Sequence, residues 1–558
     1  MNRAFTKLPR RLFTSAVGLS ILTVNIVSGA PNDQRVNYEE IPQVKKINER
    51  IRTVWQEYDL QPSGHATDGE WCRRLFLDLL GRIPRVEELD EFVKSTDANK
   101  KLKLVNTLLY DEKYTEEYAR NWTTLWTNVL IGRTGGNDDD ALTNREGMQK
   151  YLRDSFARNK PYNILVRELV TATGTPAPGT PKFNGAVNFL IDKVNEEKGA
   201  LATAATTKVF LGLQVQCTQC HNHPFNEWKQ QKYWEMNAFF RQSRALRTPV
   251  VELINQDFAG ESKPPNPEEA EIFYELRNGE LKVAYPVFVN GKALGQSGYL
   301  EDVDRRTELG KLMMQSEYLD KMIVNRMWGH FLGHGFTKPI DDLGPHNPPS
   351  HPFLLEYLGK EIRKNSYNLK DLVKWVVLSA PYQLSSKMTT ANRADDPLLG
   401  ETPKFSHFYL RQMRAEELYE SLLIATEAEK TGGAYEEQER IKNQWLQQFV
   451  TAFGTDEGDE MTSFNGTIPQ VLMMFNGDLM KKATSTSKGS MLWKVANSKM
   501  KLAQQIDHLF RAALARRPTK DEIIVANKLL FDRKGDAAEA LKDVWWVVLN
   551  SNEFIFNH

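Results

Sequence analysis

From about residue 61 onward, apolar residues recur at helical spacing through nearly every stretch of this 558-residue chain, and the pattern lapses mainly between about 245 and 300. Such a period commits the chain to packed helices rather than to a β-sandwich or a barrel. At Thr67-Asp68-Gly69-Glu70 a capping box opens the first clear helix, with Cys72, Leu75, Phe76 and Leu79 on one face and Gly81 and Pro84 as its stop. The spacing predicts further helices over 86–95, 99–110, 114–131, 145–171 and from Glu196 to Val215. It predicts others over 307–315, 317–332, 351–364, 369–379, 411–429, 436–453, 499–515, 520–533 and 537–551. Thr519 and Glu522 form a second capping box. In the interval 245–300, Pro264, Pro265 and Pro267 break the chain, and Asn278-Gly279 and Asn290-Gly291 each sit between short alternating segments, a hairpin signal of the type I′ kind. The fold class expected is mainly α, two helical domains (61–244 and 301–558) with a small β-hairpin insertion at 245–300. Residues 31–60 read as a polar lead-in, and 454–467 and 484–490 as loops.

Ahead of these lies a targeting segment. Arg3, Lys7, Arg10 and Arg11 precede an apolar stretch from Leu12 to Val27, and Ser28-Gly29-Ala30 supplies small residues for cleavage, the layout of a secretory signal over 1–30. Arg10-Arg11-Leu12-Phe13 also resembles a twin-arginine signal. Thr14, Ser15, Ser20, Thr23 and Asn25 interrupt the apolar stretch, so no stable membrane span is expected after cleavage. The expected location is outside the cytoplasm, periplasmic or at the cell surface. With 72 basic against 72 acidic residues, the chain has no charge excess to drive binding to nucleic acid, which is not an expected partner.

Only three cysteines occur, which excludes a disulfide scaffold, yet two of them fall together in Cys217-Thr218-Gln219-Cys220-His221. Cys72 sits on the apolar face of its helix and reads as a core thiol. C-x-x-C-H is the pattern of covalent c-type haem attachment: two thiols on one turn meet the two vinyl groups while the following imidazole reaches the iron. Cys217 and Cys220 are thus candidate thioether anchors and His221 the candidate proximal ligand. Two alternatives stay open, a local Cys217–Cys220 disulfide in a structural or carbohydrate-associated binding protein, and a non-haem metal site at His221, His223 or the later histidines that would make the protein a metal enzyme. Tyr233-Trp234 and Phe239-Phe240 follow closely and suit either an apolar haem face or plain core.

A second cluster gathers four of the ten histidines, His330, His334, His346 and His351, around Asp341 and Asp342. His330 and His334 are four apart and share a helix face, a spacing used for metal capture, although no H-E-x-x-H motif is present. Met236, Met322 and Met327 are further candidate axial ligands, and Asp138-Asp139-Asp140 reads as a solvated loop rather than a calcium site. There is no G-x-S-x-G, Walker or Rossmann pattern.

Phe76-Leu77-Asp78-Leu79-Leu80-Gly81-Arg82-Ile83-Pro84, Arg120-Asn121-Trp122, Asn159-Lys160-Pro161-Tyr162 and Phe210-Leu211-Gly212 through Cys217 to Phe225 resemble the planctomycete cytochrome-like domain. Val324-Asn325-Arg326-Met327-Trp328, Phe331-Leu332-Gly333, Asp341-Asp342-Leu343-Gly344, Ser350-His351-Pro352, Ser379-Ala380-Pro381-Tyr382, Pro469-Gln470 and Leu549 to Phe554 resemble the planctomycete-specific domain that usually follows it. Both are domains of unknown function. The cytochrome label of the first domain rests on the C-x-x-C-H pattern, so the expected haem c cofactor and electron transfer follow from that motif, and electron exchange with a separate cytochrome module would require a redox partner protein.

Overall fold

The computed structural model describes residues 38–138, 140–195, 199–223, 228–256, 271–294, 303–428, 435–453 and 468–558. The expected signal segment, Asp139, the prolines at 264, 265 and 267, and the 454–467 loop lie outside these residues. The architecture is mainly α, and its strands form three separate two-stranded antiparallel sheets among the described residues.

The helix Asp68–Leu80 is the centre of the molecule. Thr67 accepts from the Glu70 amide at 3.2 Å, as its capping box requires, and Gly81 closes the helix in the left-handed region at φ 70°. Cys72, Leu75, Phe76 and Leu79 are fully buried, but so are Arg73, Arg74 and Asp78 on the remaining faces. A buried charge must be paired and hydrogen-bonded to be tolerated. The Asp78 carboxylate accepts from Tyr382 Oη at 2.6 Å, Arg411 Nη2 at 2.6 Å and Asn557 Nδ2 at 2.8 Å. Arg73 donates to the carbonyls of Phe554 and Phe556, and Arg74 to those of Tyr382, Leu384 and His558. One helix therefore organises partners more than 300 residues away. The apolar core agrees: Leu77 and Ile83 belong to the cluster built mainly by Met413 through Ile555.

Around this centre, the helices Val86–Lys94, Lys100–Tyr110 and Glu112–Ile131 pack on Asp68–Leu80, and Arg145–Ala157 packs on Glu112–Ile131. Glu317–Leu332 lies against Pro352–Lys364 and against the Thr207–Leu211 turn.

Several local expectations change. The helix expected over 145–171 is two, Arg145–Ala157 and Tyr162–Thr171, with Pro161 between them. The polar lead-in contains the helix Pro42–Glu57, whose Val44, Ile47, Ile51 and Trp55 are buried at spacings of three and four and whose Trp55 indole donates to the Lys404 carbonyl. Its mean polarity hides that stripe. The expected helix over 196–215, of which 196–198 lie outside the described residues, is seen as Ala200–Thr206, continues as a π-turn over Thr207–Leu211 and ends at Gly212, φ 63°. The Thr207 hydroxyl bonds back to the Thr203 carbonyl there, a competition with regular helix that threonine often provides. The Asn-Gly turns are hairpin connections of another kind. Ile272–Glu275 pairs with Leu281–Ala284 around Asn278-Gly279, yet only Gly279 has positive φ, while the Asn278 side chain accepts from the Glu280 amide. Gly291 likewise has positive φ, beside a single bridge between Val287 and Ala293. The remaining hairpin, Ser243–Leu246 with Glu252–Asn255, had no such signal.

Candidate functional site

The Cys217–His221 motif lies on a short 3-10 turn, Gln216–Gln219, that is pinned from inside the protein. Thr218 is fully buried, and its amide and hydroxyl both reach the Val215 carbonyl. The Gln219 carbonyl accepts from the Trp234 indole and the Gln230 amide side chain, each at 3.1 Å. The Asn222 side chain accepts from the Gln230 backbone amide at 3.0 Å, and the His223 amide donates to Trp228 O at 2.8 Å. Trp234 thus serves as a hydrogen-bonding brace, stacked on Tyr274 of the neighbouring hairpin.

With the turn held this way, Cys217 and Cys220 are both exposed free thiols, whereas Cys72 is a buried one. Partial desolvation raises the Cys217 pKa, favouring the thiol over the thiolate. The His221 ring places Nδ1 2.7 Å from the Asn222 carbonyl oxygen. A carbonyl only accepts, so the bond puts the proton on Nδ1 and leaves the Nε2 lone pair available, the second-shell arrangement that orients metal-ligating histidines.

Two cavities flank the turn. His221 lines one of about 250 Å³ together with Asn222, Gln230 and Leu276. Cys217 and His223 line a larger one of about 510 Å³, whose apolar wall is Leu201, Ala204, Ala205 and Val215 and whose other side carries Asp342 and His346. Lys193, Lys208, Gln214 and Gln216 also line it, so the apolar wall faces a largely polar remainder. Cys217 and His221 thus open onto different cavities on either side of the turn, and Cys220 lines neither.

The far side of the larger cavity comes from a segment more than 100 residues downstream. Leu343 N donates to the Gly212 carbonyl at 2.7 Å, Gln214 Nε2 donates to Asp341 Oδ1 at 2.8 Å, and Lys208 lies 3.5 Å from the other Asp341 oxygen. Next to these, His346 Nε2 stands 2.9 Å from Asp342 Oδ2, and its ring centre is 5.1 Å from that of His223. Desolvation, then the neighbouring His346, lowers the His223 pKa.

The histidine cluster of the sequence is divided by the fold. His346 joins the Cys217 cavity with Asp342, while Asp341 ties the same loop to Gln214. His330 is buried elsewhere, Nε2 at 3.2 Å from the Asp78 carbonyl and its ring against Trp122, and burial pushes its pKa well down. His334 packs on Tyr409, and His351 lies between Phe336 and Phe405 with Nδ1 at 2.9 Å from Ser350 Oγ; burial lowers both pKa values to about 4. The i, i+4 spacing of His330 and His334 therefore does not bring them onto one partner. Met236, Met322 and Met327 are buried. Among the described residues, no three His, Cys, Asp or Glu side chains already form a metal-holding group. Sequence reasoning missed the pairing of His223 with His346, which no spacing signals. It also missed Asp78, which in the sequence reads only as part of the polar side of an amphipathic helix.

Residues 46–245 match PSCyt2, a protein of unknown function (DUF1549), and residues 305–530 match PSD1, a protein of unknown function (DUF1553). No curated protein and no solved structure matches the chain.

Proposed function

The chain carries a PSCyt2 domain followed by a PSD1 domain, and from that premise we propose that it is an exported protein that holds a c-type haem at Cys217, Cys220 and His221 and exchanges electrons with a partner protein. The observation that carries this reading is the pair of free, exposed thiols on one turn next to an imidazole whose Nδ1 is tied to the Asn222 carbonyl. The basic-apolar-small order of residues 1–30 supports export, and no helix among the described residues is long and apolar enough to cross a membrane.

The chemistry that such a group supplies is one-electron exchange at iron. The chain contributes attachment, orientation and surroundings. Cys217 and Cys220 would hold the group as reduced thiols, through thioether attachment that needs no oxidant. His221 offers Nε2 because Asn222 holds the proton on Nδ1. Trp234 and Gln230 keep the turn from rotating away by holding the Gln219 carbonyl. Leu201, Ala204, Ala205 and Val215 would give a bound group an apolar wall on the Cys217 side.

The test is expression of the full chain for export, with haem-attachment machinery present. The expected product has lost residues 1–30, is heavier by one haem, and shows a Soret band that stays with the polypeptide after denaturation; Cys217→Ser with Cys220→Ser abolishes the band. A colourless protein with the unmodified mass of the mature chain overturns the reading.

A further inference from the structure

We propose that Arg326 anchors a binding site for a small monocarboxylate where the two family segments meet. The first observation is a charge without a partner. Arg326 lies within the helix Glu317–Leu332, between the buried Asn325 and Met327, and is itself half-buried. Its guanidinium makes no hydrogen bond and no ion pair with any described residue, and its Nε is buried as well. Arg73, Arg74 and Arg306, buried elsewhere in the fold, each donate to backbone carbonyls. An interior cation without such partners is costly, and folded proteins seldom keep one.

The second observation is that its neighbours are donors too. Arg326 shares a helix face with His330, four residues on, and His330 packs on Trp122 of the helix Glu112–Ile131. Trp126, one turn beyond Trp122, packs on Tyr162 with ring centres 5.6 Å apart. Trp126 Nε1 and Tyr162 Oη are both buried without a hydrogen-bond partner. Burial pulls the Arg326 pKa down, and the charges that oppose this are those of Asp341 and then Tyr162, which places both near the guanidinium. An indole N–H and a guanidinium only donate, and a phenol has a proton to give. None of these three donors is met by an acceptor.

The third observation sets the class of ligand. Asp341 is already engaged, its Oδ1 accepting from Gln214 Nε2 at 2.8 Å and its Oδ2 lying 3.5 Å from Lys208 Nζ. Lys208 and Asp341 balance each other, so the charge left over is the single one on Arg326. A monoanion neutralises it, whereas a phosphate dianion leaves an excess. Nε is the one Arg326 nitrogen that is both buried and unpartnered, so the two Nη nitrogens, which bond nothing, open outward. Their fork matches the two oxygens of a carboxylate. Arg326 belongs to the PSD1 range and Trp126 and Tyr162 to the PSCyt2 range, so a carboxylate held there rests against both.

Phenylglyoxal modification of Arg326, read by peptide mass mapping on the full chain as purified, tests the proposal. Sodium acetate replaces sodium chloride at constant ionic strength, so that screening stays fixed. The expected result is saturable protection, with the Arg326 rate falling to about one-tenth once acetate reaches about ten times its dissociation constant, and a parallel rise in melting temperature. Sodium phosphate in the same series should protect less. In Arg326→Lys, which keeps the charge but not the fork, acetate should no longer raise the melting temperature. Arg326→Met, which removes the charge, should be at least as stable as wild type in chloride, and the order should reverse in acetate. Should Arg326→Lys fail to fold, the wild-type labelling and Arg326→Met carry the test. Acetate that protects no better than chloride, phosphate that protects better than acetate, a variant that still responds to acetate, or Arg326→Met less stable than wild type already in chloride each overturn the proposal. None of these residues takes part in the haem assignment, and the Soret band of the same sample is scored separately, so either reading can fail without the other.

Discussion

His334 and His351 show how single buried side chains set the pH range of a fold. Both have folded pKa values lowered to about 4 by burial, against an ordinary value of 6.5. Between those values the unfolded chain takes up protons that the folded chain refuses. Stability is therefore complete above about pH 6.5 and falls as pH drops toward 4. Each site accounts for about 3 kcal/mol at most over that window, at 1.36 kcal/mol per pKa unit. Urea unfolding from pH 7 to pH 4.5 should show the loss, and His351→Gln should flatten the slope; an unchanged midpoint across this range would count against neutral burial. The pair had been grouped with His330 and His346 as candidate metal ligands because sequence proximity was the only visible relation among them. Which of them face one another depends on the path of the chain from Gly333 to His351, and composition does not encode that path.

Helical elements with strong local signals were legible: the capping box at Thr519 with Glu522 closes in full, whereas at Thr67 only the hydroxyl half forms and the Glu70 carboxylate binds Arg74 and Ser386 instead. The Ala200–Thr206 helix was legible only in part, because its conversion to a π-turn depends on Thr207 and Gly212 meeting a distant segment. Gly212 has φ 63°, and a Cβ there would lie 2.9 Å from Leu343 side-chain atoms and from Met322 Sδ. Gly212→Ala therefore combines an unfavourable backbone angle with overpacking, for a cost of about 2–4 kcal/mol. The expected result is a lower melting temperature together with faster hydrogen exchange at the Leu343 amide, which bonds the Gly212 carbonyl. Stability lost without any change at Leu343 would show that the effect is confined to the helix end. Pro42–Glu57 was missed for the opposite reason: its four buried apolar residues form a narrow stripe in a polar segment, and the segments that pack on the helix, Pro352–Lys364, Leu369–Val377 and Ala380–Gln383, lie about 300 residues away.

Over the whole molecule, the two family segments share one interior. Asp78 belongs to the first, Tyr382 and Arg411 to the second, and Asn557 lies beyond both matched ranges. Asp78→Ala leaves the Arg411 guanidinium part-buried without its carboxylate, a loss of about 3–5 kcal/mol. Because the network is common to both segments, the variant should unfold in a single calorimetric transition shifted to lower temperature. Two separated peaks, with only one displaced, would show that the segments are independent. None of this was visible in the sequence, where Arg73, Arg74 and Asp78 look like the polar side of an amphipathic helix. Their partners lie more than 300 residues further along, and periodicity reports only neighbours.

The same network sets an order of events during synthesis. The Asp78 carboxylate and the guanidinium of Arg73 are made early, but they are satisfied only when Tyr382, Arg411 and the backbone from Phe554 to Asn557 have emerged. Until then, the helix Asp68–Leu80 carries charges it cannot bury, and the region around it has no finished interior to collapse onto. The Cys217–His221 turn, made midway, spends that interval on an incomplete scaffold, open to any enzyme that must reach both thiols before the chain closes.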